Sequence, residues 1–370
     1  MRSMRSAADR DEDDCDAVSD ASEPLEDCLH AITLQLHLSP HSSLMSLSLS
    51  IRIRQHGGPE VLETFDETLP PPGVGEVQLR HTAIGLNFID TYFRAGVYKA
   101  PLPHGLGQEA AGVITALGPE VSGFAVGDRV AYGTGPLGAY CELRNFAAAR
   151  LVKVPDTVSD EAAAALMLKG MTAYYLLHLT HAVQPGETLL VHAAAGGVGS
   201  ALVPWAKKLG ARVIGTVGSA DKAVLAKAAG CDEVILYREQ DVAREVRRLT
   251  DGRGVDVVYD SVGKDTFAGS LDSLRTRGLF VSFGNASGKA APFEPVLLAE
   301  KGSLFFTRPT LAHYTSTRAE LDAAANALFE AIASGVIEPQ IKQRYPLRDV
   351  AQAQIALESR QTSGATVLTV

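Results

Sequence analysis

The chain is 370 residues long, 46% hydrophobic and 21% charged, with a formal net charge of −9. This length holds two domains of ordinary size, each with its own core, and there is no run of about 18 apolar residues to form a membrane-spanning helix. The charge balance excludes a whole-molecule attraction to nucleic acid or anionic lipid and leaves only local basic patches to consider.

The first fifty residues carry ten acidic and three basic side chains, so the remainder is close to neutral. Residues 1–48 are Ser-rich, poor in aromatics and include the run DRDEDDCDAVSD, which buries too little apolar surface to offset its ordering entropy. They read as a disordered acidic extension, too acidic for a mitochondrial presequence and without the compact apolar core of a secretory signal. Met45 stands just before the first strand-like run and is the expected natural start of translation. Among the four cysteines, Cys15, Cys28, Cys141 and Cys231, no spacing matches a zinc knuckle or a CxxC pair. A reducing, cytoplasmic setting is expected, with Cys141 and Cys231 as packing residues.

From Leu49 to about Leu168, short runs broken by Gly and Pro predict a β-rich domain: IRIRQ, VQLRHTAIG, AAGVITALG, DRVAYG and LVKVP. Alanine-rich helical text follows from Asp160 through Leu179. Strands are then predicted at Thr188–Ala193, Arg212–Val217, Glu233–Tyr237, Val255–Asp260, Leu279–Phe283 and Ser303–Thr307, with helical text between them. That alternation implies an α/β architecture, a doubly wound parallel sheet covered on both faces. Arg318–Ser334 reads as a long helix and Ala365–Val370 as a closing strand.

The most informative stretch is Thr188–Gly210, TLLVHAAAGGVGSALVPWAKKLG. Ala194, Gly196 and Gly199 fill the three slots of a dinucleotide fingerprint, with Ala in the first, so a pyrophosphate can approach bare backbone and a helix N-terminus. The alternative is a glycine turn that serves tight packing alone. Pro204 removes a backbone donor inside the following helix and predicts a bend there, whereas Trp205 reads as a core anchor. Where NAD-preferring sites carry an acidic residue, at the end of the second strand, the text is TVGSADK. Gly218 and Ser219 leave room for a 2′-phosphate, and Lys222 adds positive charge one turn on. The competing reading makes Ser219 a helix cap and Lys222 a solvated side chain. Asp221 dissents, unless it complements the helix N-terminus.

Taken together, HGGPEVL (56–62), IGLNFIDTYFRAGVY (84–98), GLGQEAAGVI (105–114), HAAAGGVG (192–199), YDSVG (259–263), VSFGNASG (281–288) and TRP (307–309) resemble the quinone oxidoreductases. These are the zinc-independent, zeta-crystallin-like members of the medium-chain dehydrogenase/reductase superfamily. The resemblance covers residues 51–370 and implies a GroES-like catalytic domain (49–171 and 309–370) and a Rossmann cofactor domain (172–308). It also implies NADPH as donor and a homodimer, for which the apolar run Ser303–Thr307 suits an edge strand. Asn87-Phe88 and Gly107-Gln108-Glu109 stand where zinc-dependent relatives carry a Cys and a Gly-His-Glu, so no metal is expected.

Without a Lewis acid, the chemistry that remains is delivery of reducing equivalents to an acceptor already electron-poor, such as a quinone. The resemblance places Asn87, Tyr92, Tyr98 and Arg308 along the nicotinamide and acceptor cleft as catalytic candidates. Each tyrosine keeps a second reading as a half-buried packing residue. The implied cofactor contacts are Asn87, Phe88, Tyr92, Thr172, Gly196, Gly197, Val198, Gly199, Gly218, Ser219, Lys222, Tyr237, Asn285 and Arg360. For Thr172 and Asn285 the bland alternatives are a helix cap and a turn residue. Gln108 departs from the Thr or Ser expected beside Glu109, which leaves substrate range open. NADPH-dependent quinone reduction is the leading reading. Reduction of an enone or alkenal double bond is the second, and a nucleotide-binding structural or RNA-binding role is the third, disfavoured by the near-neutral body.

Overall fold

The computed structural model describes residues 46–370; the residues up to Met45, including Cys15 and Cys28, lie outside the described residues. Ser46–Ser48, expected to close the extension, are instead part of a strand, Ser46–Ile53, that pairs antiparallel with Glu63–Leu69. The alternation in SLSLSIRI buries Leu49, Ile51 and Ile53, and buried Ser48 exchanges two 3.0 Å hydrogen bonds with the Leu143 backbone.

The apolar runs of the second half form a six-stranded sheet. Its order is Glu233–Leu236, Arg212–Val217, Thr188–His192, Val255–Asp260, Leu274–Ser282 and Phe305–Thr307, and every neighbouring pair is parallel. In chain order this is 3-2-1-4-5-6, the Rossmann arrangement, in which the strand order reverses beside Thr188–His192. Alternate residues feed two cores: Leu189 and Val191 pack with Ala201, Leu202 and Trp205, and Leu190 packs with Ile214, Val246 and Leu271. Helices therefore cover both faces, as the βαβ pattern requires. The predicted last strand is shorter than expected, because Ser303 takes a left-handed φ of 56° and the pairing begins at Phe305. Pro204 sits inside the helix Gly199–Lys208, which continues past it, and Trp205 is buried against His178 and Tyr174.

The β-rich remainder is built on Glu76–Leu86, flanked by Glu109–Leu117 on one side and by the closing strand Ala365–Thr369 on the other, both antiparallel to it. Arg129–Tyr132, Val152–Lys153, Leu143–Ala147 and Ile341–Pro346 complete a seven-stranded sheet. The helix Asp160–Tyr175 joins the two halves. Ser159 caps it by accepting from the Ala162 N–H at 3.2 Å, and a wider π-type turn, Leu176–Thr180, ends it. Its residues Ala162–Ala165 share one continuous core with Ala83 and Ala111 of the β-rich sheet and with Leu189 and Val191 of the parallel one. Cys141 and Cys231 are buried and free, and burial pushes both thiols up to about 12. Among the described residues no helix is long and apolar enough to cross a membrane.

Candidate active site

At the carboxyl end of Thr188–His192 the chain turns through Ala193, at φ 52°, and Gly196 donates to the Ala193 carbonyl at 2.8 Å. The helix then starts at Gly199, with Val198 as its cap. A Cβ on Gly199 would stand 2.5 Å from the Ala193 carbonyl oxygen and 2.6 Å from that of Ala194, so the turn closes only around a bare backbone. The ten-residue helix thus begins directly at the turn, with the Ser200 N–H donating to the Gly196 carbonyl at 2.9 Å, and its N-terminal end carries the positive pole of the helix dipole.

The second strand ends at Val217, followed by Gly218 and Ser219. Ser219 occupies the cap position of the helix Ala220–Ala228, but its hydroxyl makes no capping bond, and Asp221 lies in that helix's first turn. The Tyr237 hydroxyl closes over Gly218, where a Cβ would lie 2.6 Å from it. Arg360, at φ 61°, donates to that hydroxyl at 3.4 Å, and its carbonyl accepts from Lys222 Nζ at 2.8 Å. The Lys222 pKa is lowered, first by partial burial and then by the positive charges of Arg238 and Arg360. A lysine, two arginines, and a tyrosine and a serine hydroxyl thus gather at the strand end, beside two carboxylates, Asp221 in the first turn of the helix and Asp265 at 3.7 Å from Arg360. That is a setting for a phosphate.

A second group of predicted residues meets across the cleft. Asn87 caps the helix Phe88–Arg94, donating its N–H to Asp90 at 2.9 Å; the Phe88 ring lies tilted against Tyr92, and Tyr92 meets Tyr98 edge to face. Asn285, beyond the fifth strand of the parallel sheet, donates its backbone N–H to the Tyr92 hydroxyl at 3.0 Å and its side-chain amide to Tyr98 at 3.2 Å. Arg308, past the edge strand, donates to the same Tyr98 hydroxyl at 3.2 Å. Tyr98 therefore accepts two bonds, and its own hydrogen is left to point toward a third partner. Burial holds the Tyr92 phenol well above its ordinary pKa, so it stays neutral. Thr172 lies inside the helix Asp160–Tyr175 and caps nothing.

Residues 73–156 match the family described as alcohol dehydrogenase GroES-like domain and residues 197–329 that described as zinc-binding dehydrogenase. A quinone oxidoreductase of Pseudomonas aeruginosa is 54% identical over 319 residues, 86% of this chain and 98% of the relative. The chain belongs to the quinone oxidoreductase family. The solved structure of the Escherichia coli quinone oxidoreductase complexed with NADPH superposes with a TM-score of 0.86 at 49% identity, covering 87% of this chain and all of that one. A 2-haloacrylate reductase from a Burkholderia species is 49% identical over 324 residues, 85% of this chain and 97% of that one.

Within this quinone oxidoreductase the structure adds residues that sequence patterns passed over. Arg238 follows the predicted Tyr237, yet nothing in the linear text aims it at Lys222. Asp260, fully buried, accepts from the N–H groups of Val262 (2.7 Å) and Gly263 (3.0 Å) and from the hydroxyls of Thr266 (2.7 Å) and Ser270 (3.0 Å). Ser270 also meets His192, the last residue before the glycine loop, at 3.0 Å, and burial lowers the His192 pKa. Although His, Ser and Asp are linked, the serine sits between the other two and all three are sealed from solvent, which suits bracing of the loop and not nucleophilic attack. The neighbouring loop after Asp260 abuts that of Asn285, with Ala286 donating to the Ser261 carbonyl and Ser287 to that of Val262. Among the described residues no three His, Cys, Asp or Glu side chains converge in a metal-binding cluster.

Proposed function

We propose that this chain is an NADPH-dependent quinone reductase whose site is the cleft between the glycine loop and the Tyr92–Tyr98–Asn285–Arg308 cluster. The observation that carries the reading is the Tyr98 hydroxyl, held by Asn285 and Arg308 at 3.2 Å each and left with a free hydrogen. The residues present fit the phosphorylated dinucleotide: a bare turn at Gly199 for the pyrophosphate, and Ser219, Lys222, Tyr237, Arg238 and Arg360 for the 2′-phosphate. Gly196, Gly197, Val198, Gly218 and Thr172 complete the contact set. When bound, NADPH supplies a hydride from its nicotinamide. Tyr98 donates to a quinone oxygen and Arg308 meets the negative charge that builds there, so protein dipoles take the part a metal plays elsewhere. Asn87, Phe88 and Tyr92 orient the flat partners.

NADPH oxidation followed against a quinone panel, after exhaustive chelation, tests this. Turnover that disappears on chelation and returns with zinc overturns it. The similarity to a 2-haloacrylate reductase favours a second reading, reduction of an electron-poor carbon–carbon double bond, and an alkenal in the same panel separates the two by relative kcat/KM. We assign the cofactor domain to residues 172–308 and the catalytic domain to the flanking segments. The six parallel strands fall between Thr188 and Thr307, and the strands of the other sheets fall outside that range, which supports the division. We also place the protein in the cytoplasm as a homodimer. Support for the dimer comes from Phe305, 61% exposed on the edge strand of the parallel sheet. Sedimentation at micromolar concentration, or cell fractionation, refutes either assignment by finding monomer or membrane-bound protein.

A further inference from the structure

Glu109 and Lys169 form an ion pair of 2.8 Å in which the carboxylate is fully buried and the lysine 4% exposed. The pair lies between two parts of the proposed site and belongs to neither list of contacts. Glu109 opens the strand Glu109–Leu117, directly across from Gly85, and Lys169 is in the helix Asp160–Tyr175, one turn before Thr172. Glu109 Oε2 accepts from Lys169 Nζ at 2.8 Å and from the side-chain amide of Asn87 at 2.7 Å. Its other oxygen accepts from the Leu168 N–H at 2.6 Å. Three donors converge on the two oxygens of one group, and a glutamine there would turn its NH2 against one donor in either orientation. At the other end, the lysine's carbon chain runs beneath the glycine loop. A Cβ built on Gly197 would stand 3.0 Å from Lys169 Cδ and 3.1 Å from Cε, so the loop rests on that chain with no space between.

We propose that Glu109 and Lys169 are positioning residues: the carboxylate clamps the Asn87 amide while the lysine arm seats the dinucleotide loop, keeping cleft and loop in one register. The inference rests on the cleft being the NADPH and quinone site. An isolated structural ion pair would need only the two charges. Here the same oxygen that holds the ammonium also holds an amide bordering the cleft, and the same lysine that neutralises the carboxylate supports the loop. Loss of the clamp frees the Asn87 side chain to rotate while the loop keeps its floor.

The test uses Glu109→Gln/Lys169→Met, which removes both charges together, avoids stranding either one and keeps an unbranched chain under Gly197. Expected are an NADPH dissociation constant within about threefold of the parent's and a kcat at least about tenfold lower. Asn87→Ala, costing about tenfold in kcat in the parent, should cost less than about twofold in this background, because both changes remove one interaction. Equal costs in the two backgrounds, or an unchanged kcat, overturn the proposal. A measurement free of cofactor accompanies these. In protein labelled with 15N-asparagine, one Asn87 amide proton should exchange slowly with solvent in the parent and fast in the doubly substituted chain; fast exchange in the parent refutes the clamp. Should that chain fail to fold, Glu109→Asp keeps the charge and withdraws the carboxylate by one methylene. It should likewise lower kcat and speed the exchange, and an effect on neither overturns the proposal. A parent that binds no NADPH and reduces no quinone removes the functional reading itself, whereas an active parent with additive substitutions removes the clamp alone.

Discussion

Replacing Lys222 by alanine separates a phosphate-binding cation from a solvated one. Its ammonium is half-buried, anchored at 2.8 Å on the Arg360 carbonyl, and its pKa is lowered in part by the charges of Arg238 and Arg360. Two unit charges 4 Å apart attract by about 4 kcal/mol at an effective dielectric of about 20. Desolvation and salt consume much of that, and a hydrogen bond to a charged group is worth about 1.5–3 kcal/mol net. Lys222→Ala should therefore weaken NADPH binding by about 10- to 150-fold. NADH, lacking the 2′-phosphate, should change by less than about twofold, because Gly218, Ser219 and the glycine loop are untouched. Fluorescence titration of both nucleotides at low and moderate ionic strength is the assay, and the parent's preference for NADPH should itself shrink as salt rises. Parallel losses for both nucleotides would mean that Lys222 shapes the pocket without meeting phosphate, and no loss for either would refute the assignment.

Tyr98→Phe removes the hydroxyl shared by Asn285 and Arg308 and should lower kcat with quinones by about 10- to 100-fold at near-constant NADPH affinity, read by steady-state kinetics. Gly199→Ala drives a methyl into the Ala193 and Ala194 carbonyls; NADPH binding should fall at least about tenfold, and wild-type affinity by titration would contradict the closed turn. Asp90 gives a pH test. Burial raises its pKa from 3.8 to about 7 against the opposing bonds from Tyr140 and the Asn87 N–H. A carboxyl whose folded value lies above its unfolded value contributes its full stability below about pH 4 and loses it as pH climbs through about 7. That contribution is a few kcal/mol, at most about 4. Urea denaturation between pH 4.5 and 8 should show stability falling with pH in the parent, less steeply in Asp90→Asn; identical slopes contradict the assignment.

What could be read from the text, and what could not, follows from where the information is local. Strands buried on both faces, such as Thr188–His192 and Val255–Asp260, are nearly continuous apolar runs and stand out. Glu63–Leu69 and Ile341–Pro346 do not, because ETFDETL and IKQRYP lie at sheet edges with much of their surface in water and so read as polar loops. The glycine loop, Lys222 and the Tyr92–Tyr98 segment are linear motifs and are legible as such. The Glu109–Lys169 contact spans sixty positions, and the aim of Arg238 depends on how two loops meet, so neither leaves a mark in the sequence. The acidic, Ser-rich, aromatic-poor composition runs on to about residue 48, and the period-two leucines that make Ser46–Ile53 a strand are weak against that background.

The helix Asp160–Tyr175 acts as a shim. Its four consecutive alanines present nothing larger than methyl groups, and backbone at Gly85, within a strand, and at Gly133, just past one, lies directly on it, where a Cβ would strike Ala164 and Leu168 main-chain atoms. Thickness at this joint is set by the smallest side chains available, with no slack to absorb an added carbon. Lys169 and Thr172 ride on the same rod. A bulkier residue wedged at Ala164, remote from the cleft in sequence, would tilt that rod and spoil the alignment of cleft and loop while most of both sheets stayed intact.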